Sequence, residues 1–118
     1  LPMLQVDAVL FEQVLFNLLD NAVKYAPAGT AVTIRARREG PVARIEVLDE
    51  GPGLPEEDRE RVFDKFYRVR ASDKKRAGTG LGLAIARGFM EAMGGSIIAA
   101  NREGRKGAVF ILAIPVAE

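Results

Sequence analysis

The 118-residue sequence contains no histidine, no cysteine and no tryptophan. Without cysteine there are no disulfides, no zinc–thiolate centres and no thiol nucleophile. Without histidine there is no Ser–His or Cys–His catalysis, no imidazole metal site and no phosphohistidine carried by the chain itself. Charge is nearly balanced, with 17 basic and 16 acidic residues and a net charge of +1. Such a field gives no reason to expect nucleic acid or a membrane surface as partner. No apolar run approaches the roughly 18 residues of a membrane span, and no signal peptide is visible. What remains is a chain with 48% hydrophobic residues, long enough for one domain that buries roughly two-thirds of its surface. It opens on Leu1-Pro2 and runs straight into strand-like sequence, so we expect a single domain over residues 1–118, part of a longer protein.

Residues 3–6 are mostly apolar and strand-like, and Asp7 is a good N-cap. From Ala8 to Tyr25, Val9, Leu10, Val14, Leu15, Leu18, Leu19, Ala22 and Val23 recur at helical spacing, and Pro27 and Gly29 stop the helix. Residues 31–38 and 43–48 alternate around Gly40-Pro41 and predict a hairpin. A Gly/Pro loop over residues 49–55 precedes a short helix predicted over residues 56–63, acidic first and basic later, as the helix dipole favours. Residues 68–80 are polar, basic and poor in large apolar side chains, which predicts a mobile loop. Helical periodicity returns through Leu83, Ile85, Ala86, Phe89 and Met93, ending at Gly94-Gly95 by a left-handed cap. Strands over 96–100 and 108–114 flank the turn Arg102-Glu103-Gly104. The order β-α-β-β-α-loop-α-β-β predicts an α+β fold. Its form is a two-layer α/β sandwich with a mixed, mostly antiparallel sheet of about five strands and three helices on one face.

Four segments carry candidate chemistry. Asn17, Asn21 and Lys24 share one face of a largely apolar helix. They either face solvent or await a ligand: an amide oxygen suits Mg²⁺, and Lys24 would add positive charge beside phosphates. Asp49-Glu50-Gly51-Pro52-Gly53 is either a plain turn or a base pocket. In the pocket reading, Asp49 accepts from an exocyclic amine such as adenine N6, and Gly51 and Gly53 admit a flat base. Gly78-Thr79-Gly80-Leu81-Gly82-Leu83 opens a helix and can cradle phosphate on backbone N–H groups; its spacing is neither a Rossmann fingerprint nor a Walker A loop. In Val62-Phe63-Asp64-Lys65-Phe66-Tyr67-Arg68, Phe63 and Phe66 suit core packing, while Arg68 can reach a phosphate. Lys74-Lys75-Arg76 is either solvated surface or a second phosphate clamp.

Taken together and in this order, the four segments resemble the ATP-binding catalytic domain of sensor histidine kinases, within the gyrase, Hsp90, kinase and MutL-type superfamily. Residues 17–25 look like its N box, 49–53 its G1 box, 63–66 its F box and 78–82 its G2 box. Within the family, residues 11–27 and 63–69 look most like the potassium-responsive branch. The resemblance implies ATP and Mg²⁺ as cofactors, with Asn21 on the metal and Asn17 supporting it. Lys24 and Tyr25 would contact phosphate or ribose, and Asp49 would recognise adenine in a pocket shaped by Gly51 and Gly53 and lined by Leu54, Leu81 and Ile85. Arg68 would approach the γ-phosphate from a lid over residues 66–80. Gly78, Gly80 and Gly82 would hinge that lid and, with Thr79, bind phosphate.

Many relatives carry Ser or Thr before the last-strand Phe, whereas this chain has Ala108-Val109-Phe110, so an adenine-side hydroxyl is missing. Hydrolysing relatives carry a Glu base one turn before the metal-binding Asn; here Asn17, which cannot take a proton, stands in that place. The implied function is therefore transfer of the γ-phosphoryl group of ATP to a histidine outside this chain, with no catalytic residue within it. The acceptor would lie on a dimerisation domain of the same, homodimeric parent, with a response regulator as indirect partner. The domain would touch neither nucleic acid nor membrane and would sit in the cytoplasm, under a parent anchored in the inner membrane. A gyrase- or Hsp90-type ATP hydrolase and a nucleotide-gated, non-catalytic binding module remain the alternatives.

Overall fold

A computed structural model describes residues 8–25, 27–65 and 81–115. The first helix, α1, spans Ala8–Tyr25, with the bounds its periodicity predicts. Val14, Leu18 and Ala22 form its buried stripe, at 0%, 0% and 3% exposure. Val9 and Val23, counted with the apolar repeat, instead fall on the outward face at 66% and 70%, together with Phe16. They sit at heptad steps about half a turn from the stripe, so helical spacing alone could not assign them to the core. After the helix, a turn closes with the N–H of Thr30 donating to the carbonyl of Pro27.

Two strands follow, β1 over Thr33–Glu39 and β2 over Val42–Leu48. They pair antiparallel from Thr33 opposite Leu48 to Glu39 opposite Val42, which is the expected hairpin. The segment 56–63 differs from expectation. In place of one continuous helix it forms two short 3₁₀ helices, Glu56–Asp58 and Arg61–Phe63. Eight residues following Pro55 give too few i→i−4 bonds to offset helix nucleation, and burial of Val62 and Phe63 pins the chain in tighter turns. The second α-helix, α2, spans Gly82–Ala92, with Leu81 as its N-cap. Its end is the left-handed cap anticipated: Gly94 has φ 77°, and Gly95 and Gly94 donate to the carbonyls of Met90 and Glu91 at 2.9 and 3.0 Å. This is the Schellman arrangement.

Strands β3 (Ser96–Asn101) and β4 (Ala108–Pro115) complete the sheet. Its order is β1-β2-β4-β3, and every pairing is antiparallel. Four strands thus stand among the described residues; the strand expected over residues 3–6, like the Asp7 cap, lies outside them. Alternate positions of the sheet, Ile45, Val47, Ile97, Ala99, Ala108, Phe110, Leu112 and Ile114, meet Val14 and Leu18 of α1, Ala86 and Met90 of α2, and Val62 and Phe63 in one core. The result is a two-layer α/β sandwich. Each large side chain fully buried there, such as Leu18, Met90 or Leu112, contributes roughly 1.5–3 kcal/mol. The opposite sheet face carries charge, with Arg37 paired to Glu39 at 2.8 Å on the edge strand β1 and Arg44 to Glu46 at 3.1 Å on its neighbour β2. Charge on an edge strand opposes pairing with another chain. No helix among the described residues is long and apolar enough to cross a membrane.

Candidate nucleotide-binding site

Asp49 follows the last residue of β2 and is 5% exposed. Burying a carboxylate is costly unless hydrogen bonds replace its water, and here two backbone donors do so. Its Oδ1 accepts from the N–H of Gly51 at 2.8 Å and from the N–H of Ala108 at 3.1 Å. The backbone N–H of Asp49 donates in turn to the carbonyl of Ala108 at 3.0 Å. Both bonds to the carboxylate use Oδ1; Oδ2 has no partner among the described residues. A buried acceptor with one oxygen spoken for and one open suits a ligand that brings its own N–H.

The loop after Asp49 is fastened by the turn joining β3 to β4. Arg102 donates from Nη1 to the carbonyl of Asp49 at 3.1 Å. Glu50 accepts from Arg105 at 3.3 Å and, on its other oxygen, from the N–H of Ala31 at 2.8 Å. Gly107 has φ 135°, and a Cβ there would collide with the carbonyl of Asp49, so the position admits only glycine. At the far end Leu54 is tied to Asn101 through both its backbone groups. The sequence reading missed Asn101, Arg102, Arg105 and Gly107; its one available signal was a polar residue ending an alternating strand before a Gly-rich turn. It also missed the buried Asp58, 6% exposed, within the segment read as a short helix.

The structure brings the first helix and the glycine motif together. Gly82, the first residue of α2, lies against Asn17: a Cβ on the glycine would stand 3.9 Å from Asn17 Cγ. Asn17 and Asn21, one turn apart, are half-buried, and neither amide is hydrogen-bonded among the described residues. Two half-buried amides one turn apart on the same helix face leave oxygens that could serve a cation shared with phosphates. Among the described residues no group of three or more His, Cys, Asp or Glu could hold a metal ion. Mg²⁺ binds through few protein ligands plus substrate phosphates, and the two amide oxygens of Asn17 and Asn21 are donors of the kind it takes. Lys24 pairs with Asp20 at 2.9 Å, an i,i+4 pair. Leu54 and Leu81 are half-buried and Ile85 is 42% exposed. Gly51 is buried, while Gly53 turns the loop with φ 81°.

Phe63 behaves as a core anchor. Its ring meets Phe110 edge-on, with centroids 6.2 Å apart and planes at 87°, and Arg87 sits 5.2 Å over it. The other expected site residues Arg68, Gly78, Thr79 and Gly80, with Phe66 and the lid 66–80, lie outside the described residues, as does the side chain of Tyr25.

The sequence profile of the histidine kinase-, DNA gyrase B- and HSP90-like ATPases matches residues 6–118. Sensor protein KdpD of Escherichia coli K12 is 48% identical over 118 residues, covering 98% of this chain and 13% of that protein. Sensor histidine kinase WalK of Bacillus subtilis 168 is 45% identical over 117 residues, covering 97% of this chain and 19% of its own. The chain thus spans less than a fifth of either relative. Among solved structures, the mycobacterial sensor histidine kinase MprB superposes with a TM-score of 0.85 at 32% identity, over 93% of this chain and 74% of that one. Full-length ShkA in complex with AMPPNP gives 0.81 at 33% identity, over 99% and 24%.

Proposed function

This chain belongs to the histidine kinase-, DNA gyrase B- and HSP90-like ATPase family, and from that membership we propose that it binds MgATP and presents the γ-phosphoryl group to a histidine on a separate dimerisation domain of a two-component sensor kinase. The observation that carries the nucleotide reading is Asp49: a buried carboxylate with Oδ1 pinned by two backbone N–H groups and Oδ2 left open. Adenine supplies the missing donor at N6. Leu54, Leu81 and Ile85 line the base, with Gly51 and Gly53 shaping the loop around it. Asn21 holds the metal through its amide oxygen and Asn17 supports it; Lys24 and Tyr25 meet phosphate or ribose. Thr79, Gly80 and Gly82 cradle phosphate at the start of α2, and Arg68 approaches the γ-phosphate from a lid over residues 66–80. Bound Mg²⁺ would neutralise charge on the phosphates.

Asn17 decides between transfer and hydrolysis. An amide cannot accept a proton from water, so this helix offers no base where a hydrolase of the family carries Glu. Phosphoryl transfer needs mostly positioning and electrostatic stabilisation. A histidine ring nitrogen forms the new bond to γ-phosphorus, the bond to the β–γ bridging oxygen breaks, and ADP leaves. The parent is then a homodimeric sensor kinase, with this domain working in the cytoplasm and a response regulator receiving the phosphoryl group downstream.

Incubation with γ-labelled ATP tests the reading. The chain alone should stay unlabelled and turn over little ATP, and label should appear on an added histidine-bearing dimerisation domain. Label retained on this chain, or rapid ATP hydrolysis by it alone, would overturn the proposal.

A further inference from the structure

The loop over residues 49–55 is built from two ends that are held separately. At its start, Asp49 is locked to Ala108 and Gly51. At its other end the Leu54 side chain packs against the core, and the hydrogen bonds to its backbone come from one side chain. Asn101, the last residue of β3, accepts on Oδ1 from the N–H of Leu54 at 2.7 Å and donates from Nδ2 to the carbonyl of Leu54 at 2.8 Å. A primary amide carries donor and acceptor in one plane, so Asn101 meets Leu54 as a neighbouring strand residue would. Gly53 fits the same arrangement, since a Cβ there would come 2.8 Å from Asn101 Oδ1. If this amide is removed, the backbone of Leu54 loses both bonds across the 47-residue separation and keeps only the packing of its side chain on the core.

We propose that Asn101 is a positioning residue that sets base selectivity, fixing Leu54 at a set distance from the Asp49 carboxylate so that adenine is held and guanine refused. The inference rests on reading residues 49–54 as the base pocket. Adenine offers an amine to Asp49 Oδ2, whereas guanine places a carbonyl oxygen there, acceptor against acceptor. That penalty operates only while the base cannot slide away from Asp49. With Leu54 released, a base can shift and water can enter between the two acceptors, so adenine loses contact while guanine loses little. Asn101 itself is exposed and contributes little to the core, so its loss should act on the loop more than on the fold.

The test titrates the full chain with MgATP and MgGTP for the wild type, Asn101→Ala and Asn101→Asp. We expect Asn101→Ala to weaken ATP about tenfold, the scale of losing a bonded pair, while GTP changes little, so the ATP:GTP ratio collapses. Asn101→Asp keeps the acceptor for the Leu54 N–H and loses the donor, and should fall between. Hydrogen exchange of the Leu54 amide should accelerate in Asn101→Ala, with Ile45 and Val47 of β2 unchanged. Wild-type ATP binding with an unaltered ATP:GTP ratio in Asn101→Ala would overturn this inference and leave the proposed function standing. Equal weakening of both nucleotides would overturn it too, marking a general loosening. A wild type that binds neither nucleotide would remove the nucleotide reading itself.

Discussion

Asp49 and Ala108, fifty-nine positions apart in the chain, bind each other reciprocally: the Asp49 N–H donates to the Ala108 carbonyl at 3.0 Å, and the Ala108 N–H donates to Asp49 Oδ1 at 3.1 Å. The backbone of residue 108, not its side chain, orients the carboxylate. The methyl group of Ala108 points into the core at 5% exposure, so the placement of Asp49 does not draw on the side chain at position 108.

The first prediction tests the open oxygen of that carboxylate. Asn at position 49 can keep a carbonyl oxygen against the Gly51 and Ala108 N–H groups, but must then place an NH₂ where Oδ2 stands. Asp49→Asn should therefore weaken MgATP by about 1–3 kcal/mol, the loss of a charge-assisted bond, with a nearly unchanged melting temperature. Calorimetric titration and a thermal melt together check this. Unchanged affinity would reduce Asp49 to a turn residue.

Gly107 supplies a second. Its φ of 135° is one that L side chains rarely adopt, and a Cβ would strike the Asp49 carbonyl as well as approach Arg102 Cδ at 2.8 Å. Gly107→Ala should cost about 2–3 kcal/mol from strain and collision combined, measured by urea unfolding. Because the clash falls on Asp49, MgATP affinity should drop in the same variant under conditions where it remains folded. Gly104, with nothing within 4 Å of a Cβ, serves as the comparison: its strain is local to the turn, and MgATP affinity in Gly104→Ala should hold.

These long-range bonds mark what the sequence could and could not reveal. Periodicity makes α1 legible to the residue, and alternation makes the strands legible to within a residue or two, because each signal repeats locally. Asp49 is legible too, as a carboxylate ending an apolar strand before Gly and Pro. The residues that hold it in place are not. Asn101, Arg102 and Ala108 act across 47, 53 and 59 positions, and pairings of that reach leave no local pattern. The 3₁₀ turns at 56–63 were misread for the opposite reason: their charge order matches a helix, and only burial of Val62 and Phe63 shows why the segment stays short. Val9 and Val23 were hidden in a third way, since an apolar repeat does not say which of two helix faces is covered.

The ion pair between Lys24 and Asp20 gives a third prediction. Both side chains are partly exposed, at 33% and 47%, so the pair is worth no more than about 0.5 kcal/mol. Asp20→Ala should change unfolding free energy by less than that amount. It should leave MgATP affinity equal or tighter, because a carboxylate competing with phosphate for Lys24 has gone. Isothermal titration at low ionic strength is the sensitive measurement, and weaker binding would assign Asp20 a direct place in the site.

The last prediction separates two uses of Phe63. An aromatic residue beside a nucleotide site can be kept for docking a partner or for holding the core, and the two uses respond differently to truncation. Phe63 is 4% exposed, edge-on to Phe110 and covered by Arg87, and Arg87 is itself braced by Glu60 and Glu91, each at 3.5 Å. Phe63→Ala should thus cost about 3–5 kcal/mol in urea unfolding, from lost transfer energy plus the cavity left between sheet and α2. Phe63→Leu keeps most of the volume and should cost less than about 1.5 kcal/mol. A docking residue would show the reverse pattern, with stability barely altered in either variant and phosphoryl transfer lost in both. A Phe63→Ala cost below about 1 kcal/mol would therefore move this ring from the core to the partner surface.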